Sequence, residues 1–204
     1  MISLRLLPKT IARYRRVATV RRLVNAAKVG LSYGLSNLLR RDVRMGRPLM
    51  LMVEPTNHCN LECPLCPSGN GEMTRPRGNL ELVHFKKVFD QMSDDLLLCL
   101  LWNQGEPFIN KDLLEMIRCA RSKRIPTMTS TNGHYVRTRE QARAVVHSGL
   151  SEMIVSLDGV DQETYEKYRV GGKLEKVITG TRLVAEAKRE LQSKTPLINM
   201  QFIV

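Results

Sequence analysis

The chain has 204 residues, 43% of them hydrophobic and 25% charged, with a formal net charge of +12, which suits one domain with a sizeable core. The charge is uneven: residues 1–47 hold ten Arg, two Lys and one Asp, a net +11, and residues 48–204 hold 20 basic and 19 acidic groups, a net +1. The near-neutral body disfavours a nucleic-acid partner, because phosphate binding needs clustered positive charge, and with no run of 18 apolar residues no membrane-spanning helix is expected. Five cysteines, without a clean apolar signal core behind the basic N-terminus, point to a reducing, cytoplasmic setting.

Residues 11–41 are expected to form a basic amphipathic helix. Val17, Val20, Val24, Ala27, Leu31, Leu35 and Leu38 recur at steps of three and four and make one apolar stripe, with Arg13, Arg16, Arg21, Arg22 and Lys28 mostly off it. The plain reading packs that stripe on the domain. Peripheral contact with an anionic membrane surface and docking to an acidic or nucleic-acid partner are the alternatives. Gly30 and Gly34 leave the helix length open. Gly46-Arg47-Pro48 then separates an N-terminal helical arm, 1–47, from a domain over 48–204.

Leu49–Val53 is a continuous apolar run, expected to be a strand buried on both faces of a parallel sheet. Directly after it come Cys59, Cys63 and Cys66 at C-x3-C-x2-C spacing. Thiolates so closely spaced suit soft metals and iron–sulfur clusters. Three ligands on a four-iron cubane leave one iron open, and an open metal position marks chemistry more than structure. A zinc knuckle completed by His58, a disulfide pair and buried inert thiols are the competing readings. His58 and Cys59 are adjacent, which seldom closes one tetrahedron, and a reducing compartment disfavours the disulfide.

Residues 67–79, rich in Gly and Pro, extend this loop, and Asn79 is read as the N-cap of a helix with Phe85, Val88, Phe89 and Met92 on one face. Leu96–Trp102 is a second strand with Cys99 inside it as a core residue, followed by Gln104-Gly105-Glu106-Pro107. Asn110 is read as the cap of a helix over 111–123, with Leu113, Ile117 and Ala120 inward and Cys119 off the stripe. Ile125–Ser130 is a third strand, ending Thr131-Asn132-Gly133. Thr138 and Gln141 form a capping-box pattern that opens a helix with Ala142, Val145 and Val146 inward and a stop at Gly149. Glu152–Ser156 is a fourth strand, ending Leu157-Asp158-Gly159. A short helix over 161–168 precedes Arg169, a longer one covers 173–191 with Val177, Leu183, Val184 and Ala187 inward, and Leu197–Val204 is a fifth strand.

Five strands alternating with helical crossovers imply right-handed βαβ units and a parallel sheet. The cysteine loop and the polar segments at 104–107, 131–133 and 156–159 all follow strand carboxyl ends, where parallel α/β proteins build sites.

The run Glu54-Pro55-Thr56-Asn57-His58-Cys59-Asn60-Leu61-Glu62-Cys63-Pro64-Leu65-Cys66 resembles the signature of the radical S-adenosylmethionine (SAM) superfamily, and the resemblance continues over about residues 48–204. Two departures are visible: Leu65 stands where an aromatic is common, and Gln104 replaces the first glycine of the family's Gly-Gly-Glu-Pro motif. The resemblance implies a partial TIM-like (βα) barrel with a [4Fe-4S] cluster held by Cys59, Cys63 and Cys66, whose fourth iron SAM would chelate. It implies SAM contacts from Gly105, Glu106 and Pro107 toward the amino group, from Asn132, Ser156 and Asp158 at strand ends, and from Arg169 toward the carboxylate. A guanidinium matches a carboxylate bidentately. No side chain is assigned as a catalytic acid or base.

The implied reaction is reductive cleavage of SAM to a 5′-deoxyadenosyl radical that abstracts hydrogen from a substrate. An electron donor such as flavodoxin or ferredoxin would supply the electron. The subfamily most resembled, the SPASM or twitch type, suggests a peptide substrate and adds a cysteine-rich C-terminal domain, so the chain is expected to be incomplete after its fifth strand. A non-catalytic iron–sulfur or electron-transfer protein and a structural zinc protein are the other classes considered.

Overall fold

Strands and helices alternate through one parallel sheet in the computed structural model, which describes residues 17–202. The expected helical start over 11–16 and the last two residues of the fifth strand, 203 and 204, lie outside the described residues. The elements are α1 (Val20–Leu39), β1 (Met50–Val53), α2 (Leu82–Met92), β2 (Leu98–Leu101), α3 (Leu113–Ser122), β3 (Thr127–Thr131), α4 (Arg139–Ser148), β4 (Glu152–Ser156), α5 (Gln162–Tyr168), α6 (Leu174–Glu190) and β5 (Leu197–Gln201). The strands lie in the order β1-β2-β3-β4-β5, every neighbouring pair parallel. The parallel pairing is the one expected from the alternation, and the sequential strand order fits the partial TIM-like barrel that the resemblance implied.

Register sorts the two faces of the sheet. Leu51 pairs with Cys99, Val53 with Leu101, Thr129 with Met153 and Thr131 with Val155. Successive side chains alternate across a strand, so these residues share the face that the crossover helices cover. Leu101, Cys99, Met153 and Val155 are buried there against Phe85, Phe89, Ile117, Val145, Val177 and Val184. The rings of Phe85 and Phe89 stack at 5.2 Å, and burying each such side chain contributes roughly 2–3 kcal/mol. On the opposite face Met50 and Met52 are each 52% exposed. β1 is therefore not buried on both faces as its apolar run suggested: the helix-packed core covers the face of Leu51 and Val53 and leaves that of Met50 and Met52 open.

The caps divide by what else the side chain can reach. The box at Thr138 and Gln141 forms as read, and α4 stops at a left-handed Gly149. Asn79 instead bridges Thr56, and Glu81 precedes α2. Asn110 does not directly cap α3; its amide donates to the carbonyls of Pro55 (2.6 Å) and Leu80 (2.8 Å), while its oxygen accepts from Asp112 N.

The largest departure is α1. Thr19, extended, caps it by accepting from Arg22 N, so the continuous helix over 11–41 is interrupted before Val20. Val17 is buried, but Val20, Val24, Leu31 and Leu38 of the apolar stripe face outward. The inner face is polar. Arg22 donates to the carbonyls of Val17, Ser93 and Lys123, and Asn25 exchanges hydrogen bonds with the backbone of Arg47. Gly30 and Gly34 lie within the helix without breaking it.

Candidate functional site

The loop after β1 is irregular but tightly stitched. Thr56 Oγ1 donates to Gly78 O, and Asn57, buried, donates to Pro76 O and accepts from Gly78 N at 2.7 Å. Glu54 pairs with Arg75 and accepts from Gln104 N. Around the cysteines the backbone turns on itself: Cys66 N donates to Cys63 O, and Gly69 N and Asn70 N both donate to Cys66 O. A Cβ on Gly69 would stand 2.5 Å from Cys63 N, so a side chain there would displace a cysteine.

The segment after β2 is pinned to this loop. Glu106 N donates to His58 O at 2.7 Å. Gly105 has φ +73, and a Cβ there would lie 2.6 Å from both His58 O and Thr56 O. Left-handed backbone and a backbone clash combine, so Gly105→Ala is expected to cost roughly 2–4 kcal/mol in urea unfolding. An unchanged midpoint would mean that the two loops are not in this contact.

Glu106 is buried and points into the protein. Its Oε1 accepts from Thr131 Oγ1 (2.8 Å) and Phe108 N (3.2 Å), and its Oε2 from Asn132 N (2.7 Å). Burial pushes its carboxyl up to about 7 against these donors and Arg169. The side chain thus ties the β2 segment to the end of β3. Pro107 opens a short 3-10 turn, Pro107–Ile109, and is buried within it.

Arg169 ends α5 and turns back toward the sheet. Its Nε donates to Asp158 Oδ2 at 2.6 Å, Nη2 pairs with the same carboxylate, and Nη1 approaches Cys63 Sγ at 3.7 Å. Asp158 adopts φ +46 just after β4, and its side chain is almost wholly buried. His134, also buried, accepts at Nε2 from Lys173 N (2.9 Å), which leaves Nδ1 to donate to Asn132 O. Burial lowers its pKa, consistent with a neutral ring bracing the β3 turn.

One cavity of about 150 Å³ lies at these strand ends. Cys59, Cys63 and Cys66 line it with Gly105, Glu106, Asn132, Ser156 and Arg169. Of the residues singled out from sequence, Pro107 and Asp158 are not in the lining. Trp102, Gln104 and Thr131, which were not singled out as site residues, are. Each cysteine has a polar side chain beside it: Asn132 Nδ2 is 3.9 Å from Cys59 Sγ, Arg169 Nη1 3.7 Å from Cys63 Sγ, and Cys66 Sγ–H donates to Gln104 Oε1 at 3.5 Å. Burial pushes the thiols of Cys59 and Cys63 above their ordinary range, with Arg169 opposing it at Cys63. Thiols so placed hold their protons until a metal displaces them.

Among the described residues no three His, Cys, Asp or Glu side chains converge on one metal-ion position. In a multi-iron cluster each thiolate binds a different iron, so its ligands need only face one space. Three thiols lining one cavity are a donor set that fits such a cluster. Cys99 lies at 0% exposure under the helices, its thiol pushed up to about 12 by burial, and Cys119 sits on α3, away from the cavity.

Residues 53–200 match the family model described as the Radical SAM superfamily. The chain is 31% identical over 117 residues to a PqqA peptide cyclase of Bradyrhizobium diazoefficiens, an alignment covering 57% of this chain and 30% of that protein. It is 27% identical over 149 residues to an AdoMet-dependent heme synthase of Methanosarcina barkeri, covering 72% and 42%. Among solved structures, Streptococcus suis SuiB bound to S-adenosylmethionine superposes with a TM-score of 0.59 at 19% identity, over 70% of this chain and 32% of that one. At that identity the likeness concerns the fold. The chain spans about a third of the length of the peptide cyclases that it matches.

Proposed function

This chain belongs to the radical SAM superfamily, and from that membership we propose that Cys59, Cys63 and Cys66 hold a [4Fe-4S] cluster at which SAM is reductively cleaved. Membership itself implies SAM and an iron–sulfur cluster. Held by these three cysteines and reduced, the cluster would supply the one electron needed to cleave SAM to methionine and a 5′-deoxyadenosyl radical able to take a hydrogen atom from a substrate. The observation that carries the reading is the single cavity in which three cysteines meet Gly105, Asn132, Ser156 and Arg169 from separate strand ends.

The chain's own residues bind, orient and exclude water. Arg169 offers a guanidinium, braced by Asp158, to a carboxylate at the cavity wall. The Asn132 amide and Ser156 hydroxyl are short polar groups suited to a ribose or an amino acid moiety. The carbonyls of Gln104 and Gly105, residues that line the cavity, can accept from an ammonium without demanding a given side chain, which is why Gln104 is compatible with that role, while those of Glu106 and Pro107 are taken by Ile109 N and Asn110 N. Leu61 and Trp102 supply apolar lining that limits water.

The substrate class proposed is a peptide, supported by similarity to proteins named PqqA peptide cyclase. A small electron carrier of the flavodoxin or ferredoxin type and a cytoplasmic setting go with a reducible cluster. The core is assigned to residues 48–204, with 1–47 as an arm. The test is anaerobic reconstitution with iron and sulfide, then EPR of the reduced protein with and without SAM. A signal that changes on adding SAM, together with formation of 5′-deoxyadenosine, is expected. A cluster signal indifferent to SAM would instead make this a non-catalytic iron–sulfur protein.

A further inference from the structure

We propose that the outward stripe of α1 docks the protein on an anionic lipid surface, with the cavity turned toward the water. This does not rest on the reading of the cysteines. Val20 (79% exposed), Leu23, Val24, Leu31 (53%) and Leu38 (78%) face solvent. At 100° per residue they fall within an arc of about 100°.

The orientation of α1 is fixed by its other side. Its inner face grips the loops that lead into β1, β2 and β3. Arg22 donates to Ser93 O and Lys123 O, Arg21 pairs with Asp94 and Asp95, and Asn25 holds Arg47. These contacts lie at the amino ends of the strands and the cavity at their carboxyl ends, a strand length of roughly 15 Å away. Rolling the stripe inward would break this set and strand the Arg22 guanidinium, which is 4% exposed, so the apolar face is held outward.

Charge selects the occupant. Lys28 borders the stripe, and Arg40 and Arg41 follow its end, all exposed. Residues 1–47 hold 12 basic groups against one acid, of which Arg21, Arg22 and Arg47 are taken up by Asp94, Asp95 and backbone carbonyls of the domain. Apolar side chains with a cationic border suit the headgroup region of an anionic bilayer. A second copy docked through the same stripe would set like charges against each other. Among the described residues no helix is long and apolar enough to cross a membrane, so α1 lies along the surface.

Co-sedimentation of the 204-residue chain with vesicles tests this. Binding is expected to phosphatidylcholine–phosphatidylglycerol vesicles, to weaken with salt, and to be at least tenfold weaker with phosphatidylcholine alone. Leu31→Glu/Leu38→Glu should weaken it at least tenfold, as should Lys28→Glu/Arg40→Glu/Arg41→Glu. These sites are exposed, and circular dichroism checks that each variant is folded. No binding to anionic vesicles, or equal binding by the folded leucine variant, would overturn the proposal. So would a concentration-dependent dimer that the leucine variant abolishes, which would put a second copy on the stripe.

Discussion

Alanine at Cys59, Cys63 or Cys66 is expected to abolish iron loading, while alanine at Cys99 or Cys119 leaves it intact. A cubane held by three thiolates has no spare protein ligand, so losing one should take the reconstituted protein from about four irons per chain toward none. The contrast with the other two cysteines follows from placement. Cys99 is fully buried beneath the helices with its thiol pushed up to about 12, and Cys119 belongs to α3. Neither lines the cavity. Cys→Ala removes little volume, so folding should survive and the effect should appear in metal content. Iron and sulfide assays on the five single variants decide it. If Cys119→Ala lost iron as completely as Cys63→Ala, the ligand assignment would be wrong.

Much of this was legible because it depends on local pattern. β4 has the bounds read from sequence, Glu152–Ser156, and α4 has its Thr138–Gln141 box. The parallel order followed from alternation, since consecutive right-handed units leave few other topologies. What could not be read depends on partners distant in sequence. The period of α1 marks an apolar stripe but carries no sign for inside or outside. The sign came from Arg22, which donates to carbonyls 71 and 101 residues away. Asn79 and Asn110 look like caps because short polar side chains favour that role, yet Asn110 is held by Pro55 and Leu80 from another part of the chain.

The same limit applies within the site. The strand-end segments were found from sequence, and most of their residues meet in one cavity. Their division of labour was hidden. Arg169 was read as a carboxylate ligand, and Asp158, read as a separate contact, is the group that holds it. Gln104 looked like a tolerated replacement for glycine, but its side chain reaches Cys66. A motif fixes where the backbone turns, whereas the target of a long side chain is set by what the fold brings opposite it.

Glu106 gives the second large effect. Glu106→Ala is expected to destabilise the protein by roughly 3–5 kcal/mol, because Thr131 Oγ1, Asn132 N and Phe108 N would be left as buried donors without an acceptor. Glu106→Gln should cost less, roughly 1–2 kcal/mol: its oxygen can still serve Asn132 N and its NH2 can donate to Thr131 Oγ1, leaving chiefly Phe108 N unserved. The two variants also separate hydrogen bonding from charge. Burial raises the folded-state carboxyl from an ordinary value near 4.5 to about 7, so between those values the folded protein binds more protons than the unfolded chain. Stability from this group is complete below about pH 4.5 and is lost as pH rises through about 7. The loss amounts to about 3 kcal/mol, at 1.36 kcal/mol per pKa unit. Glu106→Gln does not titrate and should lack that slope. Urea unfolding of wild type and Glu106→Gln at pH 5 and pH 8 isolates it, since other titrating groups are common to both. Parallel pH dependences would show that Glu106 is ionised in the folded protein across this range. Because Glu106 fixes Asn132 N, whose amide stands beside Cys59, the Ala variant should also weaken the EPR response to SAM more than it lowers iron content.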